Sequence, residues 1–182
     1  NTNYADYLLD NSNIRCIAVD GANQKWFGTD NGVYLVSDDC NTQIYHFDTD
    51  NSPLISNIVY SIAVNNNTGK VYFATDKGLC SFNNGIVGSN SEMTKDNVYA
   101  FPNPVKPDYT GKINIVGLSF NANIKIVSTN GTLINEGRSA GGSYSWDGCD
   151  LNGKKVASGI YMVETATESG EKGIVCKIAI IR

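Results

Sequence analysis

The first half of this chain repeats itself, and that repeat limits its fold more than any other feature. Asn13-Ile14-Arg15-Cys16-Ile17-Ala18-Val19-Asp20 aligns with Asn57-Ile58-Val59-Tyr60-Ser61-Ile62-Ala63-Val64-Asn65, at a starting offset of 44 residues. Trp26-Phe27-Gly28-Thr29-Asp30-Asn31-Gly32-Val33 aligns with Tyr72-Phe73-Ala74-Thr75-Asp76-Lys77-Gly78-Leu79 at an offset of 46. A period of about 40–50 residues with several strand signals per unit is the mark of propeller blades, because one small sheet must stack on a neighbour to bury its face. Two units do not close a propeller, which needs about 4–8 blades. The remaining blades are therefore expected upstream of Asn1, and Arg182 is expected to be the natural end of the protein.

The strand reading extends over the whole chain. Short runs rich in β-branched and aromatic residues occur at 14–20, 25–29, 58–64, 71–75, 112–116, 123–128, 160–167 and 173–181. Such runs suit half-buried strands. No 11-residue window carries a helical period. The 23 Asn and 18 Gly punctuate the runs with turns. Four Asn-Gly pairs, Asn31-Gly32, Asn84-Gly85, Asn130-Gly131 and Asn152-Gly153, are expected to form type I′ hairpins with both residues at positive φ. Within the repeat, small Gly28 and Ala74 permit close strand approach, and Gly32 and Gly78 supply positive φ at the turn. The fold class is all-β.

Residues 83–97 are polar and almost free of aromatics, and three of the four prolines follow at Pro102, Pro104 and Pro107. This pattern reads as a linker and the first strand of a new domain. It predicts two propeller blades over residues 1–95, as the C-terminal part of a larger propeller, and a second domain over residues 96–182. About 85 residues with roughly seven strand signals fit an Ig-like β-sandwich. Two segments of that half stand out. One is Tyr99-Ala100-Phe101-Pro102-Asn103-Pro104. The other runs from Trp146-Asp147-Gly148-Cys149-Asp150 through Asn152-Gly153 and Val156 to Ser158-Gly159-Ile160-Tyr161.

The repeat resembles the two-component-regulator propeller unit, N-x-I-x-x-I-x-x-D…W-F-G-T-x-x-G-hydrophobic. Residues 13–33 match closely, and residues 57–79 match with Tyr72 for Trp and Ala74 for Gly. The second half resembles the C-terminal sorting domain of type IX secretion substrates and the related Ig-like domain of flagellar hook-capping proteins. That pattern combines a Pro-Asn-Pro opening strand, a W-D-G-x-D-x-x-G-x-x-V-x-S-G-x-Y core and a final strand with a basic residue near its end. Here the final strand is Lys177-Ile178-Ala179-Ile180-Ile181-Arg182. An accessory Ig-like domain without a sorting role is the alternative for this half.

Composition removes several chemistries. The net charge is −4 with no cluster of Lys or Arg, so nucleic acid and anionic membrane surfaces are not expected partners. No apolar run approaches the ~18 residues of a membrane span. The one histidine, His46, rules out a His-pair zinc site. Cys16, Cys40, Cys80, Cys149 and Cys176 have no C-x2–4-C spacing and are odd in number, against a disulfide framework or a cysteine zinc site. Cys16, Cys80 and Cys176 read as small buried hydrophobes.

The run Asp48-Thr49-Asp50-Asn51-Ser52 starts like a calcium loop but has Pro53 and Val59 where an EF-hand needs Gly and Glu. Asp147, Asp150 and Asn152 read as turn formers. His46 lacks a nucleophile motif beside it. Trp26, Phe27, Tyr72 and Phe73 read as blade core rather than a sugar-stacking rim. No phosphate loop or dinucleotide fingerprint is present. No catalytic, metal or cofactor-binding residue is assigned, and no cofactor is expected.

The resemblances together imply a non-enzymatic, exported or cell-surface propeller protein, possessing a type IX sorting-like C-terminal domain and acting in the surface attachment complex of that machinery. Its expected partners are the type IX secretion machinery or its attachment complex and a glycan or lipopolysaccharide ligand. Its location would be the cell surface or outer membrane, with the periplasm as alternative. Open blade edges favour self-association. The competing readings are the outer, glycan-sensing propeller region of a two-component regulator, and an exported polysaccharide enzyme whose catalytic residues lie in other blades.

Overall fold

The computed structural model describes residues 8–182, with strands and turns and no helix among them. Contacts divide the chain into two units between Asn84 and Gly85.

Among the described residues the first unit holds two antiparallel meanders. The four-stranded sheet runs β1 (Ile14–Val19), β2 (Lys25–Thr29), β3 (Gly32–Val36), β4 (Gln43–Phe47) in sequence order. The three-stranded sheet runs β5 (Val59–Asn65), β6 (Lys70–Thr75), β7 (Gly78–Asn83). Their registers coincide across the repeat: Ala18 faces Trp26 as Ala63 faces Tyr72, and Ile17 faces Phe27 as Ile62 faces Phe73. The sheets pack around fully buried Trp26, Val33, Val59 and Val71, with Phe73 beside them. The Trp26 ring lies 5.8 Å from Phe73 and 6.2 Å from Phe47.

Three local devices explain the repeated motif. First, the Asp20 carboxylate lies in the bend before β2. It accepts the Ala22 and Gln24 N–H groups and the Trp26 indole N–H (3.0 Å). A buried carboxylate is tolerated only when donors surround it. Second, the Thr29 hydroxyl donates to the Gly32 carbonyl and accepts the Asn31 N–H, and Thr75 repeats both bonds with Gly78 and Lys77. Third, Gly28 is a contact point between sheets. A Cβ there would stand 2.5 Å from Cys16 Sγ and 2.8 Å from Val59 Cγ1.

The second unit is a seven-stranded sandwich. One sheet has the order β12 (Ser143–Trp146), β9 (Ile113–Val116), β8 (Tyr99–Phe101). The other has the order β11 (Leu133–Arg138), β10 (Asn123–Ser128), β13 (Gly159–Ala166), β14 (Lys172–Ile180). Ile113, Ile115, Leu118, Ile124, Ile126 and Trp146 fill the space between them. The unit begins earlier than the composition shift near residue 95 because residues 85–97 are bonded to the sandwich. Ser143 Oγ donates to the Gly85 carbonyl, Gly142 N–H to Val87 and Asn90 N–H to Leu118, and Met93 joins the core.

The turn chemistry differs from the type I′ expectation. In all four Asn-Gly pairs only the glycine is left-handed, at φ +99° for Gly32, +71° for Gly85, +85° for Gly131 and +77° for Gly153. At Asn130-Gly131 the Gly131 N–H donates to Ser128 and the Ser128 N–H to Thr132. Asn152-Gly153 does the same between Asp150 and Lys154. This is a type I turn completed by a left-handed glycine, which closes a three-residue hairpin loop. Side-chain acceptors of Asn130 and Asp150 hold these turns in the type I form. At Asn84-Gly85 the chain passes between units and no hairpin forms.

Gly28→Ala is expected to destabilise the first unit by about 1–3 kcal/mol through overpacking. Ala74→Gly, at the matching position, should cost only about 0.5–1 kcal/mol. Urea unfolding followed by tryptophan fluorescence measures both; equal effects would contradict this account of the contact at Gly28.

Candidate functional site

The residues weighed for chemistry are engaged in structure. Asp48 Oδ1 accepts the Asp50 and Asn51 N–H groups, closing an Asx turn in the loop after β4. Asp147 Oδ1 accepts Cys149 N–H, and Asp150 Oδ1 accepts the Asn152 and Lys154 N–H groups. Among the described residues no group of three His, Cys, Asp or Glu side chains stands where it could hold a metal. His46 stacks on Tyr34 with ring centroids 4.0 Å apart, and its Nε2 lies 2.7 Å from the Asn31 carbonyl. That bond ties β4 to the β2–β3 turn. Trp26 and Phe73 lie in the core between the sheets, while Phe27 and Tyr72 are half-buried. All five cysteines are free thiols. Burial pushes the Cys176 thiol up to about 11.

The distinctive geometry is at the end of the chain. β14 is an edge strand, and edge strands are normally blunted or covered. Its last residues are covered by the Pro-Asn-Pro segment. The Asn103 side-chain amide donates to the Lys177 carbonyl (2.8 Å), and its oxygen accepts the Ala179 N–H (3.0 Å). Val105 continues the pairing in parallel with Ile180, donating to the Ala179 carbonyl (2.8 Å) and accepting the Ile181 N–H (2.9 Å). Pro104 has no N–H to offer the strand. The Asn103 side chain supplies both a donor and an acceptor instead.

Loop 147–158 holds the final residue. Arg182 N–H donates to Ser158 Oγ (2.8 Å) and Arg182 Nε–H to the Val156 carbonyl (3.3 Å). The loop is anchored from beneath. Buried Trp146 donates its indole N–H to the Cys149 carbonyl (2.7 Å) and meets Tyr161 edge-on at 5.8 Å. Tyr161 in turn donates its hydroxyl to the Ala157 carbonyl (2.9 Å). The W-D-G…V-x-S-G-x-Y pattern is thus a buried base carrying two acceptors for the chain end. Sequence reasoning identified both motifs but missed that they meet on β14. The available signal was an Asn between two prolines, a polar side chain in a segment that cannot pair through its own backbone throughout.

Residues 99–180 match the family model of the secretion system C-terminal sorting domain. This span starts at β8 and ends at the last residue of β14. Over 97% of its length the chain is 36% identical to PorZ, reported as an essential bacterial surface component of the type-IX secretion system of Porphyromonas gingivalis, with a TM-score of 0.62.

The chain is similar to PorZ, and its residues 99–180 match the sorting-domain family.

The PorZ-like chain spans 24% of the length of the PorZ chain it matches. Two other solved structures share much less. Dimeric latent PorU from Porphyromonas gingivalis is 17% identical, with 62% of this chain and 12% of PorU covered and a TM-score of 0.36. The extracellular domain of a one component system of B. thetaiotaomicron is 12% identical, with 98% of this chain and 26% of that one covered and a TM-score of 0.34. No curated protein matches the chain. No helix among the described residues is long and apolar enough to cross a membrane.

Replacing Asn103 by Ala removes two bonds to an edge strand and should lower sandwich stability by about 1–3 kcal/mol, read as a lower thermal midpoint; an unchanged midpoint would show that Val105 suffices. Thiol labelling gives a second test. Exposed Cys40 should react in the folded protein, while half-buried Cys176, protonated up to about pH 11, should react only on unfolding. Because unfolded thiols near 9.0 lose their protons first, this group withdraws stability as pH rises from about 9 toward 11.

Proposed function

We propose that this chain is part of a non-enzymatic, surface-displayed component of a type IX secretion system, exported and positioned through its C-terminal sandwich. The observation that carries this reading is the 36% identity with PorZ across 97% of the chain, joined to a sorting-domain match over residues 99–180. The propeller-like sheets then act as a rigid display element and the sandwich as the handle that the machinery engages.

The clamp on β14 gives this reading a physical form. With its backbone already paired to Asn103 and Val105, the end of the chain is presented to a partner as part of a folded surface. Its side chains, including exposed Lys177, remain available. A glycan or lipopolysaccharide ligand is the expected small partner of such a surface protein.

The test uses residues 1–182 behind a leader-bearing reporter in a bacterium with type IX secretion, with surface exposure assayed in cells with and without the machinery. Machinery-dependent exposure is expected, and deletion of residues 85–182 should leave the reporter in the periplasm. Exposure that persists without the machinery, or without residues 85–182, would overturn the reading.

A further inference from the structure

Away from β14, three loops of the second unit converge on an open groove of about 710 Å³. Residues 89–91 form one side, residues 119–120 in the turn after β9 a second, and residues 167–169 in the β13–β14 hairpin a third. Hydrogen bonds fix the three relative to one another. Asn90 N–H donates to the Leu118 carbonyl (2.9 Å), which ties the first segment to the turn. The Asn121 side-chain amide donates to Glu168 Oε1 (2.6 Å) and that of Asn123 to the Thr167 carbonyl (3.2 Å), which tie the turn to the hairpin. Within the hairpin, Thr167 Oγ1 accepts the Glu171 N–H (3.0 Å) and lies 2.9 Å from Ser169 Oγ. The groove is therefore built by the fold, and little ordering is left for a ligand to impose.

Its walls have one chemistry. Ser89, Ser91, Ser119, Thr167 and Ser169 supply hydroxyls, and the Phe120 ring stands among them 47% exposed. Ser119 Oγ is buried and has no hydrogen-bond partner among the described residues. An unanswered buried hydroxyl keeps its full desolvation cost, and most such groups are paired. A ligand hydroxyl in the groove, met by rotation about the serine χ1 bond, removes that cost. The walls carry a single charged side chain, Glu168, and no Lys or Arg. Arg138 donates to the Asn121 carbonyl (3.3 Å) and is not part of them. A phosphate or carboxylate would thus face Glu168 with no cation to offset it. A divalent cation would find one carboxylate, and the described residues hold no cluster of three metal-ligating side chains. What fits is a neutral molecule with many hydroxyls and one apolar face.

We propose that this groove on the sandwich binds a neutral sugar residue of a glycan, with the C–H face of the pyranose ring on Phe120 and its hydroxyls on Glu168 and the surrounding serine and threonine side chains. The aromatic face supplies apolar contact for the ring. The bond from Asn121 to Oε1 orients the Glu168 carboxylate, and Oε2 accepts from a sugar hydroxyl. Such a charge-assisted bond is about twice as strong as a neutral one. The hydroxyl side chains both donate and accept, which suits a ligand whose own hydroxyls do the same. This assignment rests on the expectation of a glycan partner for a surface-displayed chain and gives that partner a site and a charge class.

The probes are methyl glucoside, methyl galactoside and N-acetylglucosamine, with glucuronate as the charged comparison. Binding to the ¹⁵N-labelled 182-residue chain is read from amide shifts. Saturable shifts are expected at Asn90, Phe120 and Glu168 for at least one neutral sugar, with glucuronate at least about tenfold weaker. Phe120→Ala should weaken the neutral sugar about tenfold by removing the stacking face. Glu168→Gln keeps an acceptor for Asn121; it should weaken the neutral sugar about fivefold and narrow the gap to glucuronate. Both side chains are exposed, so neither change threatens the fold. Absence of saturable shifts for all three neutral sugars would overturn the proposal. So would shifts confined to other residues, glucuronate binding as well as the neutral sugars, or affinity unaltered in Phe120→Ala. Because the binding assay needs no secretion machinery and the export assay needs no sugar, a failure of the groove and a failure of the type IX reading are told apart.

Discussion

Each unit is organised around one buried tryptophan whose indole N–H must find an acceptor away from water. Trp26 and Trp146 are essentially inaccessible, so an unanswered N–H on either would carry the full cost of desolvation. In both cases the acceptor comes from a tight turn close in sequence. Asp20 answers Trp26 from the bend before its strand, and the Cys149 carbonyl answers Trp146 from the bend after it. The turn and the ring therefore fix each other. Shape the bend and the ring is oriented; bury the ring and the bend is locked. The other aromatic contacts, Phe73 and Phe47 in one unit and Tyr161 in the other, pack against rings that are already held.

The divergence between the two repeats follows from what lies on each sheet. Gly28 faces Val59 of the next sheet and has no room for a methyl group, whereas the aligned Ala74 is accommodated. Asp20 has a tryptophan to bond, while the side chain of aligned Asn65 accepts the Asn67 and Thr68 N–H groups of its own turn, with Tyr72 in the tryptophan position. The Thr29 and Thr75 turns, in contrast, are the same to within their bond pattern. Features that serve the hairpin are copied, and features that serve the packing between sheets are not.

The second unit manages its terminal edge with side chains. A nine-residue strand at the edge of a sheet invites pairing with any other extended chain. Asn103 and Val105 occupy the last part of it, and the loop above Trp146 holds Arg182. The same motifs that match the sorting-domain family thus hold the last part of β14 against the sandwich.

The strands themselves were legible in the sequence because alternation of β-branched and aromatic residues depends only on a period of two, and the repeat showed that two sheets stack. The sorting-domain motifs were legible for the same local reason. Several elements were not. β11, Leu133–Arg138, carries Asn135, Glu136 and Gly137 and is made a strand by pairing with β10. The Asn-Gly turns adopt a type I form because Asn130 and Asp150 side chains reach the backbone beside them, a contact that dipeptide preference does not contain. The start of the second unit at Gly85 depends on bonds from Ser143 and Gly142 to a segment that composition marks as linker. The sequence by itself determined period, turn positions and which residues seek the interior. Only the tertiary structure decided which faces meet and that Asn103 and Arg182 close on one strand. Those outcomes join residues far apart in the chain, and no local preference encodes a contact whose two halves are selected together.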